Sequence, residues 1–96
     1  MIASADKTIV HLGRIVATPG SLEAIKESNQ SPAEFLLRHC KGEWGEVCED
    51  DWSANDQDLK DGNRVLSAYR TRKNVRLWVI TEGDRSATTI LLPEEY

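Results

Sequence analysis

The chain has 96 residues, of which 40% are hydrophobic and 29% charged, and its formal net charge is −4. This composition is that of a globular protein, and a chain of this length is expected to form a single domain over residues 1–96 with a small core. No run approaches the roughly 18 apolar residues of a membrane span, and no leader pattern is present. We therefore expect a cytoplasmic protein that makes no membrane contact.

Charge is unevenly distributed along the chain. Residues 42–61 contain eight acidic residues and one lysine, whereas residues 62–81 contain five basic residues and no acidic one. Either the two segments lie next to each other in space and their charges neutralise each other, or one of them attracts a charged partner. The first interpretation is the simpler one.

The first predicted element is a strand over Thr8–Thr18, where β-branched residues alternate and Gly13 marks a bulge or kink. Thr18 followed by Pro19 is typical of a helix start. The helical pattern breaks at Ser28, so a short first helix is expected.

The second predicted helix has the clearest start in the chain. Ser31 and Glu34 have the spacing of a capping box, in which each side chain bonds the other's backbone amide. An apolar face follows, and Lys41 with Gly42 is typical of a helix end.

A third helix is predicted after the acidic residues 49–51, because negative charge is favourable at a helix N-terminus. Gly62 is a natural C-terminal cap. The apolar stripe of this helix is thin, so we expect it on the surface, held by Trp52 and Leu59.

The last third of the chain predicts three strands, Arg64–Thr71, Val75–Thr81 and Ser86–Leu92. The turns between them are so short that neighbouring strands must pair antiparallel. The middle strand is mostly apolar on both faces, which indicates helices on one side and partial cover or a partner on the other. We predict an α+β fold with an N-terminal strand, three short helices and a C-terminal three-stranded antiparallel meander forming one small sheet, which the first strand joins.

No confident catalytic set is present. His11 and His39 have no partner at a spacing that indicates a site, and each is expected to be a partly buried ring bonded to backbone. His39, Cys40 and Cys48 lack a fourth ligand at the spacing of a structural zinc site. We therefore predict no metal site and no cofactor, and expect reduced cysteines.

The start of the last strand is the most polar part of the meander. Arg85 and the hydroxyls of Ser86 and Thr88 could form a small anion-binding surface suited to phosphate. The favoured alternative is that the threonines are simply good strand formers and that Arg85 pairs with Glu82 or Asp84.

Aromatic residues accompany the basic strands. Tyr69, Trp78 and Tyr96 next to arginines are typical of single-stranded nucleic-acid binding, but the net acidity opposes it. Three tryptophans in so short a chain favour a protein contact surface instead. The candidate binding residues are Arg70, Arg76, Trp78, Arg85 and Thr88.

Five segments carry a resemblance to known proteins, namely HLGRIVATPG (11–20), SPAEFL (31–36), the Trp44-Gly45 pair, LSAY (66–69) and WVITEGDRSATTILLPEEY (78–96). Together they resemble a family of small accessory proteins carried on plasmids and integrative mobile elements, often labelled plasmid-related or restriction-enzyme subunits. The resemblance spans almost the whole chain and implies a mobile-element setting without an activity. The chain is too short for a methyltransferase or restriction subunit, which needs a cofactor fold and motifs that are absent from this sequence.

A looser similarity, at the level of the fold, is to the ribonuclease-like group of barnase, EndoU, colicin and RelE. It implies an enzyme, or an inactive relative, acting on RNA phosphates, with His11, Tyr69, Arg85 and Thr88 as weak catalytic candidates. The acidic balance and the lack of a clear acid and base pair oppose it.

The leading functional prediction is a non-enzymatic accessory protein of a mobile element. It would bind another macromolecule, a protein rather than a nucleic acid, through its sheet face and acidic helix. The alternatives are the ribonuclease-like protein and a structural homodimer with Trp78 or the sheet edge at its interface.

Overall fold

The computed structural model of the protein describes residues 8–96. The α+β composition and the order of elements predicted from the sequence are confirmed. The elements are β1 (Arg14–Ala17), α1 (Pro19–Glu27), α2 (Pro32–Cys40), α3 (Glu49–Asp61), β2 (Val65–Arg70), β3 (Arg76–Thr81), β4 (Ala87–Leu91) and a 3-10 turn at Pro93–Glu95.

The four strands form one mixed sheet in the order β1-β4-β3-β2. β2, β3 and β4 pair antiparallel in chain order, but β1 pairs in parallel with β4. The antiparallel meander and the joining of the first strand are confirmed, but the sheet as a whole is four-stranded and mixed and not a three-stranded antiparallel one. The three helices and strands β2 and β3 separate β1 from its partner β4 in the chain, and a connection of that length permits either strand direction, unlike the short turns of the meander.

β1 is much shorter than the strand predicted over Thr8–Thr18. Gly13 adopts a left-handed backbone conformation with φ 64°, and a Cβ there would lie 2.5 Å from the carbonyl oxygen of Arg85. The amide of Val10 donates to the carbonyl oxygen of Cys40 at 3.1 Å. The residues before Gly13 therefore contact the end of α2 instead of extending the sheet.

Side-chain caps begin the first two helices. The hydroxyl of Thr18 accepts a bond from an amide in the first turn of α1, as predicted. Ser31 caps α2 by accepting from the amide of Ala33 at 3.3 Å, whereas the Glu34 carboxylate accepts from the Gln30 side chain at 2.7 Å. The N-cap at Ser31 is confirmed. The reciprocal capping box is wrong, because the Glu34 carboxylate bonds the Gln30 side chain and not the Ser31 amide.

α1 and α2 cover one face of the sheet, which we call the helix-covered face. α1 packs against β4 and α2 against β3. The side chains of Leu77, Val79 and Thr81 alternate into this face and are fully buried. Its core consists of Ile25, Phe35, Tyr69, Leu77, Val79 and Ile90.

The opposite face of the sheet, which we call the open face, carries the other side chains of β2 and β3. Leu66, Ala68 and Trp78 on this face are only half-buried, and Arg70 and Arg76 are exposed. The predicted two-sided character of β3 is confirmed by this alternation. Partial cover on the open face leaves space for the groove described below.

α3 lies along the outer edge of β2 and covers it. The Asn55 side chain donates to the carbonyl oxygen of Leu66 at 2.7 Å and accepts from the amide of the same residue at 3.2 Å. Further along, the amide of Ala68 donates to the Trp44 carbonyl oxygen at 3.0 Å, and its carbonyl accepts from the Glu46 amide at 2.7 Å. A strand edge paired in this way is protected from adventitious strand addition.

A second apolar cluster fixes α3 to the rest of the molecule. Trp44, Val10 and Val65 are fully buried there, and Trp52 and Leu59 of α3 pack against them. The sequence prediction for these two residues is confirmed. The helix ends, as predicted, at Gly62, whose φ is 76°.

None of the helices formed by residues 8–96 has the length and apolar character needed to cross a membrane.

Candidate functional site

A groove of about 350 Å³ lies between the start of α3 and the open face of the sheet. Leu66, Ala68 and Trp78 line it on the sheet side, and Val47 and Cys48 line it on the α3 side. Cys48 is exposed and has a free thiol. The groove therefore combines an apolar surface with a half-buried tryptophan, a combination that is enriched where proteins contact other molecules.

The loop before α3 approaches β2 closely enough to shape this groove. Gly45 has φ 79°, and a Cβ there would overlap the carbonyl oxygen of Ala68. Only glycine fits this combination of backbone angle and close approach. The contact places Glu46 and Val47 beside the strand and so sets the groove's α3 wall.

Charges of opposite sign flank the groove. The carboxylate of Glu46 pairs with Nε of Arg70 at 2.7 Å, and this arginine also donates to the Asn74 side chain at 2.9 Å. Asp51 on α3 and Arg76 on β3 line the same groove, yet neither has an ion pair or side-chain hydrogen bond within residues 8–96. The groove therefore has one unpaired anion and one unpaired cation.

The charges of the acidic segment (residues 42–61) and the basic segment (residues 62–81) neutralise each other only in part. They do neighbour each other in space, and the pair between Glu46 and Arg70 joins them. In the described part of the chain it is the single ion pair between these two segments. The three acidic residues in the first turn of α3 are exposed.

An aromatic pair continues the open face beyond the groove. The Trp78 and Tyr96 rings meet edge to face with centroids 5.6 Å apart. The guanidinium of Arg64 lies 5.8 Å from the Tyr96 centroid, within the range of a cation–π contact. Tyr96 remains 67% exposed, so its ring covers Trp78 from the solvent side without being buried itself.

A chain of buried hydrogen bonds crosses the helix-covered face. His39 Nδ1 lies 2.6 Å from Ser67 Oγ, and His39 Nε2 lies 2.8 Å from Thr81 Oγ1. Thr81 Oγ1 is 2.7 Å from Thr88 Oγ1, whose hydroxyl donates to the Leu12 carbonyl oxygen at 2.7 Å. The four polar side chains are fully buried.

The bond from Thr88 to the Leu12 carbonyl oxygen determines which group donates in the other hydrogen bonds of the series. Because the Thr88 proton is donated to Leu12, Thr81 must donate to Thr88 and accept from His39 Nε2–H. His39 Nδ1 is then an acceptor from Ser67. Burial, with a smaller contribution from the Arg85 charge, lowers the pKa of His39 to about 4. The ring is therefore neutral at pH 7, with its proton on Nε2.

Tyr69 occupies the other end of the same face. Burial raises its pKa to about 12, and its hydroxyl donates to the Glu43 carbonyl oxygen at 2.5 Å. The Arg38 guanidinium lies 4.4 Å from the ring centroid and pairs with Glu43 at 2.8 Å. Burial therefore keeps Tyr69 neutral at pH 7, although the Arg38 charge acts on its pKa in the opposite direction.

Arg85 and Thr88 both form hydrogen bonds within the protein. Arg85 Nη1 donates to the carbonyl oxygens of Asn63 at 2.8 Å and Glu82 at 3.1 Å, so it contacts main chain rather than a carboxylate. Thr88 is fully buried and its hydroxyl is occupied. The less favoured alternative, an anion-binding surface of Arg85, Ser86 and Thr88, is not formed, because Thr88 is buried in the core.

The four weak catalytic candidates do not form one site. Thr88 pairs with Thr81 at one end of β3, and Tyr69 pairs with Leu77 four residues away, which corresponds to roughly 13 Å along a strand. His11 is exposed, whereas Tyr69 and Thr88 are buried. The geometry expected for ribonuclease-like catalysis, with all four side chains on one concave surface, is therefore absent.

Of the candidate binding residues, Arg76 and Trp78 meet at the groove and Arg70 borders it through its pair with Glu46. Asp51 and Ala68 were not predicted as site residues, although the acidic run and the strand alternation contained the signal. The polar chain at His39 was not predicted either, since this ring is bonded to hydroxyls and not to backbone as expected. Ser67, Thr81 and Thr88 at inward positions were the available signal.

Among residues 8–96, no group of three histidine, cysteine or acidic residues is arranged to hold a metal ion. Comparison with known protein families, with curated proteins and with solved structures found no match for this chain.

Proposed function

We propose that this chain is a non-enzymatic accessory protein that binds another protein at the groove between α3 and the open face. The plasmid or integrative-element setting implied by the sequence resemblance is part of the proposal. One observation carries it, namely the half-buried Trp78 on an apolar groove whose flanking charges, Asp51 and Arg76, have no ion-pair partner among residues 8–96. Such residues become energetically important when a partner removes them from water.

The charge of the groove favours a protein over a nucleic acid. Glu46 and Asp51 line it together with a single arginine, Arg76. Binding to a phosphate backbone depends on several cations acting together, and acidic residues on the same surface oppose it. The exposed acids of α3 instead suit electrostatic steering of a protein partner with basic residues.

Cys48 provides a direct test, because it is the exposed thiol at the groove whereas Cys40 is buried. A photo-crosslinker attached to Cys48 should give a discrete protein adduct in extract of the host cells. The same label at Glu23→Cys in a Cys48→Ser background, on the exposed surface of α1, should not give that adduct.

Two substitutions separate specific binding from loss of structure. Trp78→Ala removes the aromatic side chain, and Ala68→Arg fills the groove while leaving the aromatic in place. Both should reduce the adduct several-fold in protein that circular dichroism shows to be folded. An adduct that forms equally from positions 48 and 23, or that both variants leave unchanged, would reject the proposal.

A further inference from the structure

The two unpaired charges of the groove lie on different elements. Asp51 is in the first turn of α3 and Arg76 is the first residue of β3. Both line the groove, but they do not pair with each other, since the ion pairs of the described residues are elsewhere. Apolar groove surface from Leu66, Ala68 and Trp78 accompanies them.

The other charged side chains at the groove, unlike Asp51 and Arg76, already have partners. Glu46 is already neutralised by Arg70 at 2.7 Å, and Arg70 is held again by Asn74. These side chains give up existing contacts if they bind a ligand charge. Asp51 and Arg76 give up none, so they are the groove charges best placed to add to binding.

We infer that the groove is occupied by an extended peptide segment of the partner protein, with an apolar side chain on Trp78 and Ala68, a basic side chain facing Asp51 and an acidic side chain facing Arg76. This inference deepens the proposed function and rests on it. A cavity of about 350 Å³ is at the lower end of ligand-site volumes, which suits a few side chains and not a folded domain. Charge complementarity then selects the order of the residues.

The test uses a phage-displayed library of random heptapeptides selected against the full chain. Selected sequences should share an apolar or aromatic residue with a basic residue on one side and an acidic residue on the other. A synthetic peptide of the consensus should bind about tenfold more weakly to Asp51→Lys and to Arg76→Glu.

Matched controls are available on the same elements. Asp50→Lys makes the same charge change in the same helical turn, and Arg72→Glu does so in the turn before β3, but neither residue lines the groove. These variants should bind the consensus peptide within about twofold of the unsubstituted protein, because neither side chain lines the groove and exposed charges that form no direct pair contribute little. The double variant Asp51→Lys with Arg76→Glu should prefer the peptide whose two charges are exchanged.

The outcomes separate the two proposals. Peptides that depend on Trp78 and Ala68 but lack the charge pattern would overturn the mixed-charge occupant and leave the proposed function standing. Equal losses for Asp50→Lys and Asp51→Lys would overturn it as well. If no selected peptide depends on Trp78 or Ala68, or if sedimentation shows a dimer of this chain that Ala68→Arg dissociates, both proposals are rejected.

Discussion

Ser21 in α1 and Ser28 at its C-cap show that residue type alone does not determine whether a buried hydroxyl stabilises the fold. Ser21 is fully buried, and its hydroxyl lies 2.9 Å from the Thr18 carbonyl oxygen and 3.1 Å from that of Ile90. Ser28 is 5% exposed at the helix end, and its Oγ has no hydrogen-bond partner in the described structure. A buried hydroxyl stabilises a fold only when its hydrogen bonds replace those it made with water.

We therefore expect opposite results from the same substitution at the two positions. Ser21→Ala should lower the free energy of unfolding by about 1 kcal/mol, because it removes a bonded hydroxyl between α1 and β4. Ser28→Ala should leave it unchanged or raise it by up to about 1 kcal/mol, because it removes an unsatisfied one. Urea unfolding of the two variants measures both, and an equal loss at the two positions would contradict the assignment.

At the scale of elements, the contact between α3 and β2 depends on one polar side chain. Asn55 is the buried residue of α3, and it bonds both main-chain groups of Leu66 on the outer edge of the strand. An amide is suited to this position because it carries a donor and an acceptor side by side. The side chain thus takes the place of a neighbouring strand.

Asn55→Ala should lower the free energy of unfolding by about 2 kcal/mol, since two hydrogen bonds are lost and the Leu66 groups lose their partner. Asn55→Asp should cost at least as much, because a carboxylate has no donor for the Leu66 carbonyl oxygen. Amide hydrogen exchange at Leu66 should accelerate in both.

Gln57→Ala is the matched control on the exposed side of α3, where Gln57 bonds only Asp61. It should change stability by less than about 0.5 kcal/mol. Alanine is the better helix former at both positions, so a loss at position 57 equal to that at position 55 would show that the effect does not come from the strand edge.

The helix order, the helix ends and the meander could be predicted because each depends on neighbouring residues. Thr18, Ser31 and Gly62 act within one turn of their own helices. The pairing of β1 with β4 joins residues more than 70 positions apart, as Arg14 and Ala87 do, and no local pattern contains it. The groove depends on the same kind of distant placement, so the acidic run around Asp51 was visible in the sequence but its position beside Trp78 and Arg76 was not.

For the whole molecule, the polar chain through His39 is the contact that joins the most distant parts. It links α2, β2, β3 and β4 to the segment before β1 through Ser67, Thr81, Thr88 and the Leu12 carbonyl oxygen. All of its side chains are buried, so each bond must be made or the fold loses stability. From the sequence, these residues look like a solitary histidine and strand formers, because a hydroxyl in a strand has the same pattern whether it is buried or exposed.

The neutral state of His39 should make the stability of the whole protein depend on pH. Burial lowers its pKa from 6.5 to about 4 in the folded protein, so between these values the unfolded chain binds the proton more strongly. The stabilisation is complete above about pH 6.5 and decreases as the pH falls towards about 4, by about 3 kcal/mol in total. A second proton on the ring would also force Ser67 to accept where it now donates, and Arg85 would repel the new charge.

Urea unfolding at several pH values between 7.5 and 4 measures this dependence, and His39→Gln should lose the component between pH 6.5 and 5, above the range in which most carboxylates titrate. His11→Gln, which removes the exposed histidine, should retain it. If His39→Gln does not fold, ¹⁵N spectra of the imidazole in the unsubstituted protein decide the question directly. They should show a proton on Nε2 alone at pH 7 and no protonation of Nδ1 until the pH approaches 4. A ring that titrates near 6.5 would show instead that water reaches His39 and that the buried chain is open.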